Sequence, residues 1–315
     1  MHQTPFAFSL DNKRYHTLNY YNKIKYGIKV YKAVIDCGFT CPNIDGTKGT
    51  GGCIFCDGGS GYFTMPLLSV TQQLEAEYKR ISAKNGKDIL IIAYFQANTN
   101  TYASVDELRR IYEAVLDYPY VSGISIGTRA DCLPDNVLDL ICELNEKTNL
   151  TVEIGMQTVH DKTISLINRC CTHEEFVNGY NKLKAHKIRT CLHIINGLPY
   201  ETADMMTENA LEASKMQPDA VKLQMLHVIR GTRLADMYEE EKFKLLTKEE
   251  YIDIIVKQLE VLPPETVIER ITGDGYKQKL IAPMWSADKI SVLGSIDKRL
   301  AELDTWQGKF YRKYH

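Results

Sequence analysis

Cys41, Cys53 and Cys56 stand in a C-x11-C-x2-C arrangement within GFTCPNIDGTKGTGGCIFCDGG, residues 38–59. Thiolates select soft metals, and cysteine-rich loops of this kind hold iron–sulfur cubes. Three thiolates can hold three irons of a [4Fe–4S] cube and leave the fourth to a non-protein ligand. An open coordination position points to chemistry rather than scaffolding, as it does at catalytic zinc. Cys37 lies nearby, so a four-thiolate structural zinc site competes with this reading. Zinc knuckles usually come as C-x2-C pairs. Here one pair is C-x2-C, the other is C-x3-C, and Cys37 ends a predicted strand. Cys37 is therefore read as a small buried residue, a common fate of free cysteine. The spacer carries Gly46, Gly49, Gly51 and Gly52. Glycines let backbone approach a ligand closely, although a plain flexible loop carries them too.

The elements that must position these cysteines alternate in type. Apolar, β-branched runs at Val30–Asp36, Ile89–Phe95, Val121–Ile126, Leu150–Ile154, Arg189–Ile195 and Ala220–Met225 read as buried parallel strands. Helices follow them, several opened by a capping box: Ser69 with Gln72, Ser104 with Glu107, Thr172 with Glu175, Thr247 with Glu250. Six βα units in series imply a parallel α/β sheet with right-handed crossovers. Alternation alone leaves a doubly wound sheet and a barrel both open. Residues 1–29 read as an N-terminal arm, 30–232 as the core, and 233–315 as an extension with helices near 247–262 and 287–304 and a strand at Val267–Glu269.

Composition sets the outer bounds. The 315 residues are 44% apolar and 25% charged, values of a globular chain. A single α/β barrel of this length is ordinary. A net charge of −2 gives no global pull toward nucleic acid or membrane. No apolar run approaches the roughly 18 residues of a spanning helix. The start, MHQTPFAFSLDNKRYH, lacks the basic end and apolar core of a signal peptide. Nine cysteines without a secretory signal fit a reducing cytoplasm.

The chain resembles radical S-adenosylmethionine (SAM) enzymes, and within them the YhcC/YtqA family, which is related to the radical-SAM half of the Elongator catalytic subunit. The resemblance rests on FTCPNIDGTKGTGGCIFC, YFQANTNTYA (94–103), IGTRADCL (126–133), VEIGMQT (152–158), INR (167–169), HIINGLPYE (193–201), KLQMLHVIRGT (222–232) and RITGDGYKQKLIAPMW (270–285). It implies a partial (β/α)6 TIM-like barrel, with Cys41, Cys53 and Cys56 ligating the cluster and SAM chelating the open iron. One electron then cleaves SAM to methionine and a 5′-deoxyadenosyl radical that abstracts hydrogen from an unreactive carbon. An electron donor such as flavodoxin or ferredoxin is implied too.

In parallel barrels reactive groups collect at the C-terminal strand ends, and the resemblance places SAM contacts there. Phe55 falls beside the adenine. Gln96, Thr99 and Asn100 replace a glycine-rich turn that supports the methionine amino group; an ordinary Asn/Thr turn is the alternative. Gly127 replaces a glutamate of the Elongator relative, and Arg129 is read as a site cation. Period-two alternation sends Glu153, Gly155 and Gln157 to one face. A glutamate in an apolar strand must be paired or ligand-bound, so Glu153 is either a cofactor contact or the partner of Arg129 or Arg169. By resemblance Gln157 and Arg169 contact SAM. His193 is a SAM contact or a satisfied core histidine. Gly197 permits close approach to adenine. Lys222 orients substrate, or snorkels. Cys170 and Cys171 read as buried or incidental.

Substrate signals are local. Lys13, Arg14, Lys23, Lys25, Lys29 and Lys32 interleave with Tyr15, Tyr20, Tyr21, Tyr26 and Tyr31, and the tail adds Lys309, Arg312 and Lys313. Basic residues bind phosphates and aromatics stack on unpaired bases. This fits a tRNA substrate; an arm packed by its own tyrosines is the alternative. The Elongator resemblance directs the chemistry to a wobble-uridine side chain. A radical-SAM enzyme on a small metabolite and a noncatalytic zinc or iron–sulfur RNA-binding protein are the competing classes. Gly273-Asp274-Gly275-Tyr276, near Trp285, reads as a cover for the barrel mouth.

Overall fold

A computed structural model describes residues 6–58, 68–273, 275 and 278–313. Strands β1 (Lys29–Ile35), β2 (Ile89–Phe95), β3 (Val121–Thr128), β4 (Asn149–Gln157), β5 (Arg189–Asn196) and β6 (Ala220–Met225) lie where the apolar runs place them. They pair in chain order, each parallel to the next. β7 (Val228–Ile229) is a short strand beyond them, and β8 (Val267–Arg270) adds a seventh strand to the same sheet, parallel to β6. The six-unit expectation is thus one strand short. β8 is only four residues long, and the sequence alone does not say that it returns to the free edge of β6. The region beyond residue 233 therefore contributes to the barrel wall itself.

The sheet is curled. Seven strands about 4.8 Å apart, laid flat, would hold the edge strands roughly 29 Å from each other. Yet Lys32 of β1 meets Glu269 of β8 at 2.6 Å. The two edges must face each other, which makes a half-barrel. No ladder joins β1 to β8; the closure is ionic. The outer edge of β8 is covered instead by a bridge from Thr17 to Ile268, whose N–H donates to the His16 carbonyl at 2.7 Å.

Alternate strand residues point outward into one apolar layer. Ala33 and Ile35, Ile91 and Phe95, Ile124 and Ile126, and Val152 and Ile154 are buried there together with Leu74, Leu108, Ile141 and Leu183 of the covering helices. Those helices are α2 (Val70–Asn85), α3 (Val105–Glu113), α4 (Asp135–Lys147), α5 (Asp161–Leu166), α6 (His173–Ala185) and α7 (Ala203–Met216). After α8 (Arg233–Glu239), α9 (Lys248–Val261) and α10 (Lys289–Glu302) complete the layer, with β9 (Leu280–Ala282) antiparallel to β7 at the barrel's upper end. Full capping boxes form at Ser69, Thr172 and Thr247. Ser104 accepts from the Glu107 N–H without the reciprocal bond.

The N-terminal arm sits at the other end. Helix α1 (Leu18–Tyr26) runs into the first residue of β1, so it lies under the N-terminal ends of the strands. Leu18 and Tyr21 pack there on Cys191, Ala220 and Val267, and the Tyr21 ring lies 4.9 Å from the Arg189 guanidinium. Tyr15 and His16 are buried. Lys13 pairs with Asp297, Arg14 with Asp304 at 2.9 Å, and Lys32 points into the barrel. The arm plugs the barrel floor with its aromatics and three of its cations are spent on protein carboxylates. Of the two readings of this arm, the packing of its own tyrosines is the one seen here.

The closing ion pair sets a stability prediction. Glu269 accepts from Lys32 and from Arg189 (3.1 Å) and is buried. Burial alone would raise its pKa, but Lys32 and Arg189 lower it to about 2, from an ordinary 4.5. A depressed carboxylate stabilises the fold above its unfolded pKa and stops doing so as pH falls through the folded one. Glu269→Gln should lose about 3–5 kcal/mol at pH 7 in chemical denaturation, since it leaves Arg189 without a carboxylate and Lys32 with Glu153 alone. The variant should also lack the loss of stability that the parent shows from about pH 4.5 toward 2.

Candidate active site

The floor of the half-barrel is built around Glu153. Its carboxylate is wholly buried on β4 and accepts from Lys32 and Lys222, from Ser125 Oγ at 2.6 Å, from the Tyr94 hydroxyl at 3.0 Å and from His193 Nε2 at 2.7 Å. Each donor comes from the inward face of a different strand, β1, β6, β3, β2 and β5. Burial opposes ionisation of Glu153, but the Lys222 and Lys32 charges and the His193 hydrogen bond hold its pKa well below the usual range. His193 is pushed the other way, to about 4, by burial and by Lys222. It is a neutral imidazole donating through Nε2. Glu153, Cys191 and His193 bring one ligand atom each within 4.8 Å of the others. Two ammonium groups already occupy the Glu153 oxygens, so this trio is a poor cation site.

Above the floor lies a cavity of about 760 Å³, in the size range of small-molecule sites. Cys41, Cys53 and Cys56 line one wall of it and Cys37 does not. All nine cysteines are free thiols. Burial pushes Cys53 up to about 12, and Cys37 likewise. The thiol loop is folded by its own backbone: the Ile44 N–H donates to the Cys41 carbonyl (2.7 Å), that of Cys56 to Cys53 (3.0 Å) and that of Gly52 to Asn43 (2.8 Å). It is clamped from across the barrel by the turn after α5. The Ile54 N–H donates to the Ile167 carbonyl at 3.0 Å, and the Asn168 amide donates to the Thr50 and Gly52 carbonyls at 3.1 and 2.8 Å.

The structure brings most of the expected residues together. Phe55, Gln96, Thr99, Arg129, Glu153, Gln157, Arg169, His193 and Lys222 all line the cavity. Two do not. Asn100 is buried behind the wall, its amide donating to the Ala97 and Gly127 carbonyls at 3.0 and 2.8 Å. Gly197 (φ +89°) packs against Leu246 outside the cavity. The resemblance places both at the cofactor, but here the Asn100 amide is used to hold its turn and Gly197 faces Leu246.

Roles also shift within the lining. Arg129 forms a two-pronged pair with Asp131 (both 2.9 Å) and donates to the Arg169 carbonyl at 2.8 Å. Asp131 in turn accepts from Lys48 of the thiol loop at 2.6 Å. Burial opposes the Arg129 charge, but Asp131 more than offsets this and raises its pKa. Arg169 donates to the carbonyls of Cys171 (2.8 Å), Thr172 (2.9 Å), Met156 and Thr158 (3.4 Å). It is a backbone staple at the cavity rim. Neither arginine pairs with Glu153, contrary to that expectation; Lys32 and Lys222 do. Lys222 spends donors on Glu153 and Tyr94. Gln157 adopts φ +52°, and its buried Oε1 has no partner. Its amide lies over Gly155, where a Cβ would come within 2.0 Å of Nε2. An unmet acceptor at a cavity wall is a place for a ligand donor.

Sequence reading missed Lys32, Tyr94, Ser125, Asp131 and Asn168 as site builders. Period-two counting puts Lys32, Tyr94 and Ser125 on the inward face; only closure of the sheet turns them toward one carboxylate. Asp274 and Tyr276 of the expected cover lie outside the described residues.

Residues 44–213 match the Radical SAM superfamily model, and 218–302 the Radical_SAM C-terminal domain. The chain belongs to the radical SAM superfamily, whose cofactors are a [4Fe–4S] cluster and SAM. It is 46% identical to YtqA of Bacillus subtilis over 314 residues, 99% of this chain and 98% of that one. It is 32% identical to YhcC of Escherichia coli over 280 residues, 88% of this chain and 89% of that protein. A more distant relative is the tRNA uridine(34) acetyltransferase of Methanocaldococcus jannaschii, 26% identical over 55% of this chain but only 31% of that enzyme. Among solved structures, the Elp3 of Methanocaldococcus infernus superposes with a TM-score of 0.69 at 17% identity, over 89% of this chain and 65% of the other, and so shares the fold. No helix among the described residues is long and apolar enough to cross a membrane.

The floor carries its own pH signature. His193 is neutral when folded, with a pKa of about 4 against an ordinary 6.5. The unfolded chain binds that proton first, so stability should fall as pH drops from about 6.5 toward 4. His193→Gln should flatten this part of the curve. NMR of the ring should give a midpoint near 4 in the folded parent.

Proposed function

We propose that this chain is a radical SAM enzyme whose Cys41, Cys53 and Cys56 hold a [4Fe–4S] cluster, and that it modifies the side chain of a tRNA wobble uridine. The observation that carries the reading is the shared cavity: three free thiols on one wall and the polar strand-end residues of a parallel half-barrel on the others. The donor set suits the group. Three soft ligands leave one iron open, and the partnerless Gln157 Oε1 awaits a donor in the same space.

When bound, the cluster supplies the electron that cleaves SAM, and the hard chemistry belongs to that pair. The chain's residues bind, orient and exclude water. Phe55, between two of the thiols, offers an aromatic face to the adenine. Gln157 would accept a hydrogen bond from SAM, and Gln96 and Thr99, which line the same cavity, would help hold its methionine end. Arg129 places a cation beside the thiolates and ties β3 to the thiol loop through Asp131 and Lys48. Lys222, His193 and Glu153 form a rigid floor on which a substrate group is oriented. The tRNA assignment is supported by the likeness to the archaeal tRNA uridine(34) acetyltransferase.

A small-metabolite substrate is the second reading. It is favoured by the placement of the basic arm under the barrel floor, away from the cavity mouth.

Oxygen-free reconstitution tests the enzyme. The parent should bind four irons and release 5′-deoxyadenosine from SAM and dithionite. Alanine at Cys41, Cys53 or Cys56 should abolish both, while Cys37→Ala should keep both; iron loss in the Cys37 variant would overturn the ligand set. Mass spectrometry of tRNA nucleosides from cells lacking the gene tests the substrate. A missing or altered wobble-uridine nucleoside is expected, and an unchanged profile transfers the reading to a metabolite.

A further inference from the structure

Asn43 lies two residues beyond Cys41, in the thiol loop, and its side chain is wholly buried. The amide nitrogen stands 3.6 Å from Cys53 Sγ and 2.5 Å from the Asn168 carbonyl. Both neighbours on that side are acceptors, so the NH2 and not the oxygen must face them. The other half of the amide, Oδ1, is buried with no partner. A buried amide with one half unpaired is a costly way to fill space, and an apolar side chain would fill it at less cost. What the amide supplies and an apolar side chain cannot is a pair of N–H donors, one toward the Asn168 carbonyl and one toward the Cys53 sulfur.

The donor is also held in place. A Cβ at position 49 would come within 2.4 Å of Asn43 Oδ1 and 2.6 Å of Cys170 Sγ, so a side chain there would force the Asn43 amide or Cys170 to shift. The Asn43 carbonyl accepts from the Gly52 N–H at 2.8 Å. Asn168, which supplies the acceptor carbonyl, is itself anchored through its side chain to Thr50 and Gly52. Asn168 has φ +54°, a left-handed conformation that asparagine tolerates better than most residues. The two asparagines thus tie the thiol loop to the turn after α5, and the Asn43 amide is held beside Cys53 by the backbone carbonyl of Asn168 rather than by its side chain.

We propose that Asn43 is a positioning residue for the cluster's electronics: its side-chain N–H donates to the Cys53 sulfur and raises the cluster's reduction potential. This rests on the cluster reading above. Adding an electron to an iron–sulfur cube increases negative charge on its sulfurs. A donor fixed at one of them stabilises the reduced state more than the oxidised one, and hydrogen bonds to sulfur are among the levers by which a protein sets such potentials.

The test is an EPR-monitored redox titration of the full-length chain, reconstituted without oxygen and without SAM. Asn43→Leu removes the donor at similar volume, and Asn168→Ala loosens the tie while leaving the Asn43 N–H. The Asn43→Leu midpoint should lie below that of the parent, and the Asn168→Ala midpoint should stay close to the parent's even where its cluster is lost faster. Coincident midpoints for Asn43→Leu and parent overturn the proposal, as does an equal shift in Asn168→Ala, which would assign the effect to loop geometry. Should Asn43→Leu take up no cluster, pulsed EPR of the reduced parent decides, using asparagine labelled with ¹⁵N only at the side-chain amide. A ¹⁵N coupling that disappears in Asn43→Asp, or in the parent regrown without label, is expected; no coupling in the labelled parent overturns it. A parent without any four-iron signal defeats the enzyme reading itself, whereas a full signal with an unmoved midpoint defeats only the role of Asn43.

Discussion

A single buried carboxylate, Glu153, organises this half-barrel. Its two oxygens gather donors from five other strands, and Lys32 passes the link on to Glu269 on the far edge. The edges of an open sheet repel closure unless something joins them, and here no β1–β8 ladder does so. An ionic join leaves the strand ends above it free to splay. That is why a cavity large enough for a cofactor can sit directly over the closed floor. The same arrangement pins register: a one-residue slip of β4 would turn Glu153 outward, into the apolar layer, and leave Lys32 and Lys222 unpaired in the interior.

The upper half depends on a different kind of bond. The thiol loop has few buried apolar contacts of its own, apart from Ile54, which packs with Ile167 and Leu198. It is fixed mainly by polar ties to neighbouring turns: Asn43 and Asn168 on one side, Lys48 and Asp131 on the other. Asp131 also holds Arg129, so one carboxylate couples the cation beside the thiols to the loop that carries them. Burial makes the thiolate costly at Cys53, and a soft cation bound there would supply the missing charge. Thiol loop and cavity are therefore two halves of one site. The loop is ordered by hydrogen bonds to backbone, and a bound metal would compensate what the sulfurs lack.

How far this was legible in the sequence follows from the range of each signal. Strand positions and the shared face of Glu153, Gly155 and Gln157 are local, period-two facts, and the fold keeps them. The C-x11-C-x2-C spacing is local too, and the separation of Cys37 from the other thiols agrees with its position at the end of a strand. Partnership across the barrel is not local. For Glu153, pairing with Arg129 or Arg169 was the alternative to a cofactor contact, since a buried carboxylate must be paired or ligand-bound. Both arginines sit one layer higher, where unpaired carbonyls and Asp131 claim them first. Lys32 was read with the basic arm because composition windows ignore which way a side chain points; as the fourth residue of β1 it is aimed inward by the strand's alternation. Asn100 and Gly197 show the complementary error, in which turn residues near a site are spent on the turn.

The placement of α1 bears on how a large substrate would reach the cavity. A seven-residue strand spans about 23 Å at 3.3 Å per residue, so β1 separates the arm beneath the barrel from the thiol loop at its other end by roughly that distance. Phosphates held by Lys23 or Lys25 could not present a base to the cavity without the chain of nucleotides passing around the barrel. On the far side from the arm, Ile229, Lys279 and His227, at or beside β7 and β9, line the cavity together with the thiol loop. Lys279 is tied to Asp57 at 3.3 Å, which bridges the β9 side of the mouth to the loop just after Cys56. The Lys279–Asp57 pair thus ties one wall of the cavity to the segment that carries Cys56, so a change that loosens the loop alters that wall and the cysteines together.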